Sequence, residues 1–200
     1  MNTQRLFALV ALAGACAIVA AVPAQARVDA LPGTWCGGTS WKLMTLSDTQ
    51  RTGVTWAPAA TTIADIGKLT APARITTTRS TPFQKQVWQL NVVVENYRLA
   101  SNGEIVLVLF DIPSGTYMNG YLPNPKCLSS ASRGRADMLA ARAALSRCPA
   151  STGDWQLLGA SVQLNGVGFW NKAHSTKGAL PNGAELRPVT SLKVVSGCGV

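Results

Sequence analysis

The amino-acid sequence predicts a mainly β fold with one or two helices, built as a five-stranded OB-like barrel that is closed or partly open. Three observations predict it. The strand-like segments and the best helix follow one another in the order β-β-β-α-β-β, which is the order of an OB-fold. The first two strands form a hairpin around Asn102 and Gly103. Gly166 and Gly168 lie inside the fourth strand, where they allow the curvature that closure needs. An open α+β sheet with the same elements is the alternative.

The central hairpin has the clearest pattern in the chain. Apolar side chains alternate with polar ones along its first strand, at Trp88, Leu90, Val92 and Val94. This two-residue period is typical of a strand with one buried face. The returning strand, residues 105–110, is apolar on both faces and is predicted to be interior. Asn102 and Gly103 suit the turn because both residue types accept a positive φ.

The other elements follow from propensity and from their breakers. The sequence predicts a third strand at 116–122, an Ala-rich helix at 133–147, and two more strands at 160–170 and 184–195. Pro188 places the last strand at an edge or a bulge.

The chain after the leader divides into a barrel domain at 79–200 and an N-terminal extension at 27–78 that packs on it. In the extension, residues 41–46 alternate like a short strand. Thr62, followed three residues later by Asp65, resembles a capping box and predicts a short helix.

The first 26 residues have the pattern of a secretory signal peptide. Arg5 supplies a positive charge, residues 6–21 an apolar run, and residues 24–26 an Ala-Gln-Ala cleavage site. The apolar run is too short to favour a stable membrane span. Cys16 raises a lipoprotein as the alternative, but apolar sequence continues beyond it. We therefore expect a secreted or periplasmic protein.

The chain without its leader is basic. Loss of Arg5 reduces the 18 Lys and Arg residues to 17, against 9 Asp and Glu residues, for a net charge of +8. A basic exported protein can meet anionic glycans, nucleic acids or membrane surfaces. The cations form no consecutive run, so a solvated basic surface is the simpler interpretation.

Four cysteines follow the leader, at Cys36, Cys127, Cys148 and Cys198. An even number in an exported chain indicates disulfides, with three possible pairings. A zinc site is disfavoured because no Cys-x-x-Cys spacing occurs and His174 is the single histidine. We expect neither a metal nor a cofactor.

Several short motifs occur together in one order: Cys36-Gly37, Trp41-Lys42 with Thr45, residues 104–109, Pro123-Asn124-Pro125-Lys126-Cys127, Gly166-Val167-Gly168-Phe169, His174, Pro181-Asn182-Gly183 and Glu185-Leu186-Arg187-Pro188-Val189. In these motifs the chain resembles a family of exported bacterial proteins of unknown function with an OB-like barrel. That family often has histidine at the positions of Val106 and Arg187, and aspartate at that of Asn171. These departures remove groups able to transfer protons or bind metal, so the resemblance implies relatedness without a mechanism.

The resemblance also implies a disulfide pairing. Cys36 and Cys127 lie inside the family-like motifs and Cys148 and Cys198 outside them, which favours Cys36–Cys127 together with Cys148–Cys198. The nearest competing pairing joins Cys127 to Cys148 across a helix of about fourteen residues, whose ends are about 20 Å apart.

His174 and Glu185 are the candidate catalytic residues, because the sequence places them near a common loop. A lone loop histidine is more often exposed or structurally hydrogen-bonded. The chain has no Gly-x-Ser-x-Gly, phosphate-binding or His-rich metal motif. Hydrolysis of a phosphodiester or glycosidic bond by the loop around His174 is therefore the alternative function.

Binding is the favoured function. OB-folds bind oligonucleotides and oligosaccharides over strands two and three and through the loops joining strands 1–2 and 4–5. The predicted ligand-binding residues are Arg98, Trp170, Asn171, Lys172, His174, Lys177 and Arg187. Trp170 or Tyr117 would offer a stacking surface, although an aromatic residue at a strand end more often belongs to the core. The sequence thus predicts an exported, disulfide-bonded binding module for an anionic oligomer, a glycan or a nucleic acid, and leaves the ligand and the oligomeric state open.

Overall fold

The computed structural model describes residues 36–38 and 40–198, and the predicted signal peptide lies outside them. The described helices are α1 (Trp41–Met44), α2 (Ile63–Gly67) and α3 (Arg135–Ala143). The strands are β1 (Thr55–Ala60), β2 (Gln86–Leu99), β3 (Ile105–Asp111), β4 (Thr116–Leu122), β5 (Gln156–Trp170) and β6 (Ala184–Ser196). Short 3-10 helices lie at Arg51–Gly53, Pro82–Lys85, Pro125–Cys127 and Ala144–Arg147.

Five of these strands form a ring. β2 pairs with β3, β3 with β4, β4 with β6, β6 with β5, and β5 again with β2. The β4–β6 pair is parallel and the other four pairs are antiparallel. With α3 between the third and fourth strands of the ring, this confirms the predicted OB-like barrel. β1 lies outside the ring and pairs in parallel with the beginning of β2.

The interior strand of the hairpin is as buried as its apolar sequence predicts. Leu107, Val108 and Leu109 are fully buried in β3. Alternate side chains of β2, among them Leu90 and Val94, pack with Leu107 and Leu109 in the core. The two-residue period therefore placed the inward face of the central hairpin correctly.

Gly166 and Gly168 allow close approach of other backbone to β5. A Cβ atom at Gly166 would lie 2.9 Å from the Cβ of Leu186, and one at Gly168 would overlap the carbonyl oxygen of Phe83. The register between β5 and β6 shifts on both sides of Gly166. These glycines therefore accompany a local bend, as expected for glycine inside a strand.

The predicted strand at 41–46 is wrong, because Trp41–Met44 form helix α1. Leu43 is buried within α1, and Leu46 is buried just beyond the end of the helix, where its φ is +50°. The guanidinium of Arg79 donates to the carbonyl of Leu43 at 2.9 Å, a contact that spans 36 positions of the sequence. This long-range partner is absent from any local pattern.

Two other parts of the extension can be compared with the sequence. The helix predicted after Thr62 is confirmed, and the Thr62 Oγ1 accepts a hydrogen bond from the backbone N–H of Asp65 at 3.0 Å. β1, in contrast, contains Pro58 and was not predicted. An edge strand tolerates proline, because the missing N–H removes no essential ladder bond there.

The helix and the hairpin turn differ in detail from the sequence expectation. α3 is shorter than 133–147: it begins after Gly134, whose φ is +68°, and the chain continues into a 3-10 helix from Ala144. In the turn, Gly103 has a φ of +78°, whereas Asn102 is not among the described residues with positive φ. The Asn102 side chain instead accepts a hydrogen bond from the Glu104 backbone at 3.1 Å.

The structure pairs Cys36 with Cys127 and Cys148 with Cys198, with Cα separations of 5.2 and 4.5 Å. This is the pairing that the resemblance implies. The first bridge joins the extension to the 3-10 helix after β4, and the second joins the end of β6 to the end of the α3 region. Two disulfides are compatible with an exported protein. Within the described residues, no helix is long and apolar enough to span a bilayer.

Candidate binding site on the outer face of the barrel

The outward side chains of β3, β4 and β6 form one mixed polar and apolar surface, called here the outer face. In its first row, Val108 pairs with Asn119 across β3 and β4, and Asn119 pairs with Glu185 across β4 and β6. The second row consists of Val106, Tyr121 and Arg187. These residues point outward because their strand neighbours point into the core.

Residues 171–183, which connect β5 to β6, cover this face and are called here the covering loop. Gly178 has a φ of +79°, and a Cβ atom there would lie 2.7 Å from Val108 and 2.8 Å from Asn119. Only glycine fits such a position without displacing its neighbours. Near the other end of the loop, the Asn182 amide donates to three backbone carbonyls at and just beyond the end of α2, at 3.0–3.2 Å. The loop is therefore fixed to the barrel at both places.

Glu185 accepts several hydrogen bonds beneath the covering loop, and only 2% of its surface is exposed. Its Oε1 accepts from His174 Nε2 at 2.9 Å, from Asn171 Nδ2 at 3.1 Å and from the Tyr121 hydroxyl at 3.3 Å. Its Oε2 lies 3.8 Å from an Arg187 guanidinium nitrogen and has no hydrogen-bond partner in the described chain. The candidate pair His174 and Glu185 is thus in direct contact.

Arg187 lies between two carboxylates. It donates twice to Glu104, once from Nε to Oε1 at 3.1 Å and once from a terminal nitrogen to Oε2. Asn102 Nδ2 also donates to Glu104 Oε2, at 2.6 Å. The guanidinium carbon lies 4.2 Å from the centre of the Tyr121 ring. Burial disfavours the charge of Arg187, but the carboxylates of Glu104 and Glu185 outweigh it and raise the pKa of Arg187.

The tautomer of His174 follows from its two hydrogen bonds. Nδ1 accepts from the backbone N–H of Thr176 at 3.3 Å, so Nδ1 carries no proton. Nε2 therefore carries the proton of the neutral ring and donates to Glu185. Both ring nitrogens are engaged inside the protein, which leaves neither of them directed at a substrate.

Tyr121 and Asn119 are two further polar side chains of the outer face. Burial and then the neighbouring Glu185 raise the pKa of Tyr121 far above its ordinary value, so the phenol stays protonated and serves as a donor. Asn119 is fully buried, and neither polar atom of its side chain has a hydrogen-bond partner in the described chain. An unpartnered buried polar group costs about 1–3 kcal/mol of stability. Such groups are uncommon in folded proteins, and each needs a reason.

The structure separates the predicted ligand-binding residues into two groups. Asn171, His174 and Arg187 converge on Glu185, while Lys172 and Lys177 are exposed on the same covering loop. Within the described residues, neither lysine forms an ion pair.

The other two residues of that prediction do not contact Glu185. Arg98 pairs across β2 and β3 with Val106 at the edge of the outer face, and its guanidinium carbon lies 4.8 Å from the centre of the Trp155 ring. Trp170 is 2% exposed, its Nε1 donates to Thr81 Oγ1 at 2.9 Å, and its ring contacts Phe83. Trp170 belongs to the core, so it offers no stacking surface.

Sequence reasoning missed Glu104, Asn119 and Tyr121. A signal for the latter two existed, since in β4 polar and aromatic side chains at 117, 119 and 121 alternate with inward residues. Glu104 carried no comparable signal, because its partner Arg187 is 83 positions away. The chain was compared with protein-family models, with curated proteins and with solved structures, and no match was found.

Proposed function

We propose that this protein is a secreted or periplasmic binding module for an anionic oligomer, a glycan or a nucleic acid, which binds on the surface around the covering loop. The observation that supports this proposal is an unequal burial of charge. Sixteen Lys and Arg residues and eight Asp and Glu residues lie in the described chain. The buried ones are two cations, Arg79 and Arg187, and four carboxylates, Asp48, Glu104, Asp111 and Glu185.

Among the described residues, fourteen cations and four carboxylates therefore remain at least partly exposed. The protein surface is consequently more positive than the composition of the chain suggests. A surface with such an excess attracts polyanions over a distance and increases their rate of association. Binding of this kind weakens with salt, because counterions are released from the polyanion.

The covering loop is the part of this surface that the barrel architecture favours. It joins the fourth and fifth strands of the ring, the position of a loop that contacts ligands in OB-folds. Lys172 and Lys177 extend from it into solvent, whereas Glu185 and Glu104 below it are buried. A polyanion on this surface meets the lysines and not the carboxylates.

Hydrolysis, the alternative function, depends on the same loop but also requires a side chain there that can exchange a proton with the substrate. A general acid or base must reach the substrate with one ring nitrogen. His174 uses both nitrogens within the protein, and its carboxylate partner is buried. Binding requires only exposed cations, so the geometry supports binding better.

The test compares two double variants of the chain without its leader. Lys172→Ala/Lys177→Ala removes the covering-loop charges. The control, Lys193→Ala/Arg147→Ala, removes two charges near the distal end of β6. Lys193 lies about 25 Å along that strand from Glu185. Affinity for a heparin oligosaccharide and for single-stranded oligothymidylate is measured by fluorescence anisotropy over a range of NaCl concentrations. We expect the first variant to flatten the salt slope by about two units at most, and the second to leave it unchanged.

Two results would contradict the proposal at different levels. If neither probe binds the parent protein at low salt, the binding of anionic oligomers is wrong. If a probe binds but Lys172→Ala/Lys177→Ala keeps the parental affinity and slope, the covering loop is not the binding surface.

A further inference from the structure

A cleft of about 360 Å³ opens between β1, α3 and the middle of β6. Trp56 lines it from β1, Asp137 from α3, Asn165 from β5 and Ser191 from β6. None of these residues belongs to the outer face or to the covering loop. The volume lies within the range of small-molecule sites, near its lower end.

The indole of Trp56 is held in place before any ligand arrives. The guanidinium carbon of Arg133 lies 4.7 Å from the centre of the Trp56 ring. That guanidinium donates to three backbone carbonyls, those of Arg51, Thr52 and Val54, at 2.7, 3.2 and 2.8 Å. A Cβ atom at Gly134 would overlap the edge of the ring, so the indole also contacts the backbone at the start of α3. A fixed aromatic wall reduces the entropy lost on binding.

Three polar groups of the lining keep hydrogen-bonding capacity for a ligand. Asn165 Oδ1 accepts from Gln89 Nε2 at 3.1 Å, which leaves the Asn165 Nδ2 as a donor. Asp137 and Ser191 are exposed, and in the described chain their side chains form no hydrogen bond. The cleft therefore combines an acceptor, a donor and a hydroxyl beside one indole.

We infer that this cleft binds a sugar ring of a neutral oligosaccharide. The C–H face of a pyranose packs on an indole by burial of apolar surface. Its hydroxyl groups both donate and accept, which matches Asp137, Asn165 and Ser191. The lining contains one carboxylate and neither Lys nor Arg, which disfavours a phosphate or sulfate. A cation is disfavoured because a single aromatic wall is not a cage and the protein itself is strongly basic.

The test blocks the cleft from an exposed helix position. Ala140→Phe places a ring in the lining, whereas Ala143→Phe, the matched control, adds the same ring at an exposed position of α3 outside the cleft. Trp56→Ala is a poor test because Trp56 also packs on a hydrophobic cluster of the fold. Binding of maltohexaose, cellohexaose and chitohexaose is measured by saturation-transfer NMR and calorimetry, with thermal unfolding of each variant as a check of folding.

We expect the parent to bind at least one of these oligosaccharides. Ala140→Phe should weaken that binding by about tenfold or more and Ala143→Phe by less than about twofold. Lys172→Ala/Lys177→Ala should leave it unchanged, and Ala140→Phe should leave heparin binding unchanged, so the cleft and the covering loop are tested separately. The inference is overturned if none of the three oligosaccharides binds, or if Ala140→Phe binds them as the parent does.

Discussion

Two buried arginines, Arg79 and Arg187, have surroundings of different kinds. Arg79 is 1% exposed and donates to Asp48 Oδ2 at 2.8 Å, to the Leu43 carbonyl at 2.9 Å and to the Gln84 carbonyl at 3.1 Å. Its charge is matched by one carboxylate, and two of its hydrogen bonds go to backbone. Arg79 therefore joins the N-terminal extension to the chain that enters β2.

Arg187 is shared between Glu104 and Glu185, so the cluster around it contains one more carboxylate than cation. The second carboxylate, Glu185, accepts hydrogen bonds from His174, whose side chain is 24% exposed, and from Asn171 on the covering loop. The comparison teaches that a buried ion pair alone does not indicate a functional site. An excess charge connected to a partly exposed group is the better indication.

The largest effect is expected at Arg79. Arg79→Met should lower the free energy of unfolding by about 3–5 kcal/mol, because it leaves the buried Asp48 carboxylate without its cation. Urea unfolding measures the change. Arg74→Met, at an exposed position of the same segment, is the control and should stay within about 0.5 kcal/mol of the parent. A loss at Arg79 as small as that of the control would mean that the pair is solvated.

A smaller effect is expected at the second carboxylate. Glu185→Gln keeps the shape but weakens the charge-assisted hydrogen bonds from His174 and Asn171, so we expect a loss of about 1–3 kcal/mol. Hydrogen exchange of the covering loop should increase at the same time. Asp48→Asn should destabilise the protein without that increase, because the groups that donate hydrogen bonds to its carboxylate, on Arg79 and Gln50, lie outside the covering loop. Equal loop exchange in both variants would remove the distinction between the two clusters.

The pH dependence of stability tests Tyr121. Its pKa is raised in the folded protein, while in the unfolded chain it ionises near pH 10. Above that pH the unfolded state loses a proton that the folded state keeps, so stability present below pH 10 declines as pH rises, by about 1.4 kcal/mol per unit. Tyr121→Phe should flatten this decline between pH 10 and 11 by about 1 kcal/mol, because only half of the unfolded tyrosine is ionised at pH 10. Parallel profiles for variant and parent would show that Tyr121 ionises in the folded protein.

The smallest effect is expected at Asn119. Asn119→Leu removes an amide without partners, so the free energy of unfolding should change by less than about 1 kcal/mol or increase. Asn124→Leu is the matched control: Asn124 is also buried, but its side chain hydrogen-bonds to Asn102 and Lys126. That control should lose about 1–3 kcal/mol. A similar loss at Asn119 would show that its amide has a partner in solution.

Local patterns predicted the elements that are stabilised by contacts close in sequence or that carry a periodic pattern of apolar residues. The period of two in β2 and the cap at Thr62 were correct for this reason. Residues 41–46 alternate like a strand but form helix α1, whose Leu43 carbonyl binds Arg79 only in the folded chain. For the candidate site, the order of the chain indicated the pair His174 and Glu185, but Glu104 could not be found, since its partner is 83 positions away.

The sequence by itself determined the order of the five ring strands and α3, the buried face of the central hairpin and the basic character of the protein, because these depend on residue type and on short-range period. The tertiary structure decided which charges are exposed. The ring of strands brings Asn119 beside Glu185 and Tyr121 beside Arg187, and the covering loop packs on Val108 and Asn119 of the first row. It also decided that Trp170 packs inward against Phe83 and that Trp56 lines a cleft. The physical reason is that burial and hydrogen bonding between distant segments depend on how the strands close, which no local pattern encodes.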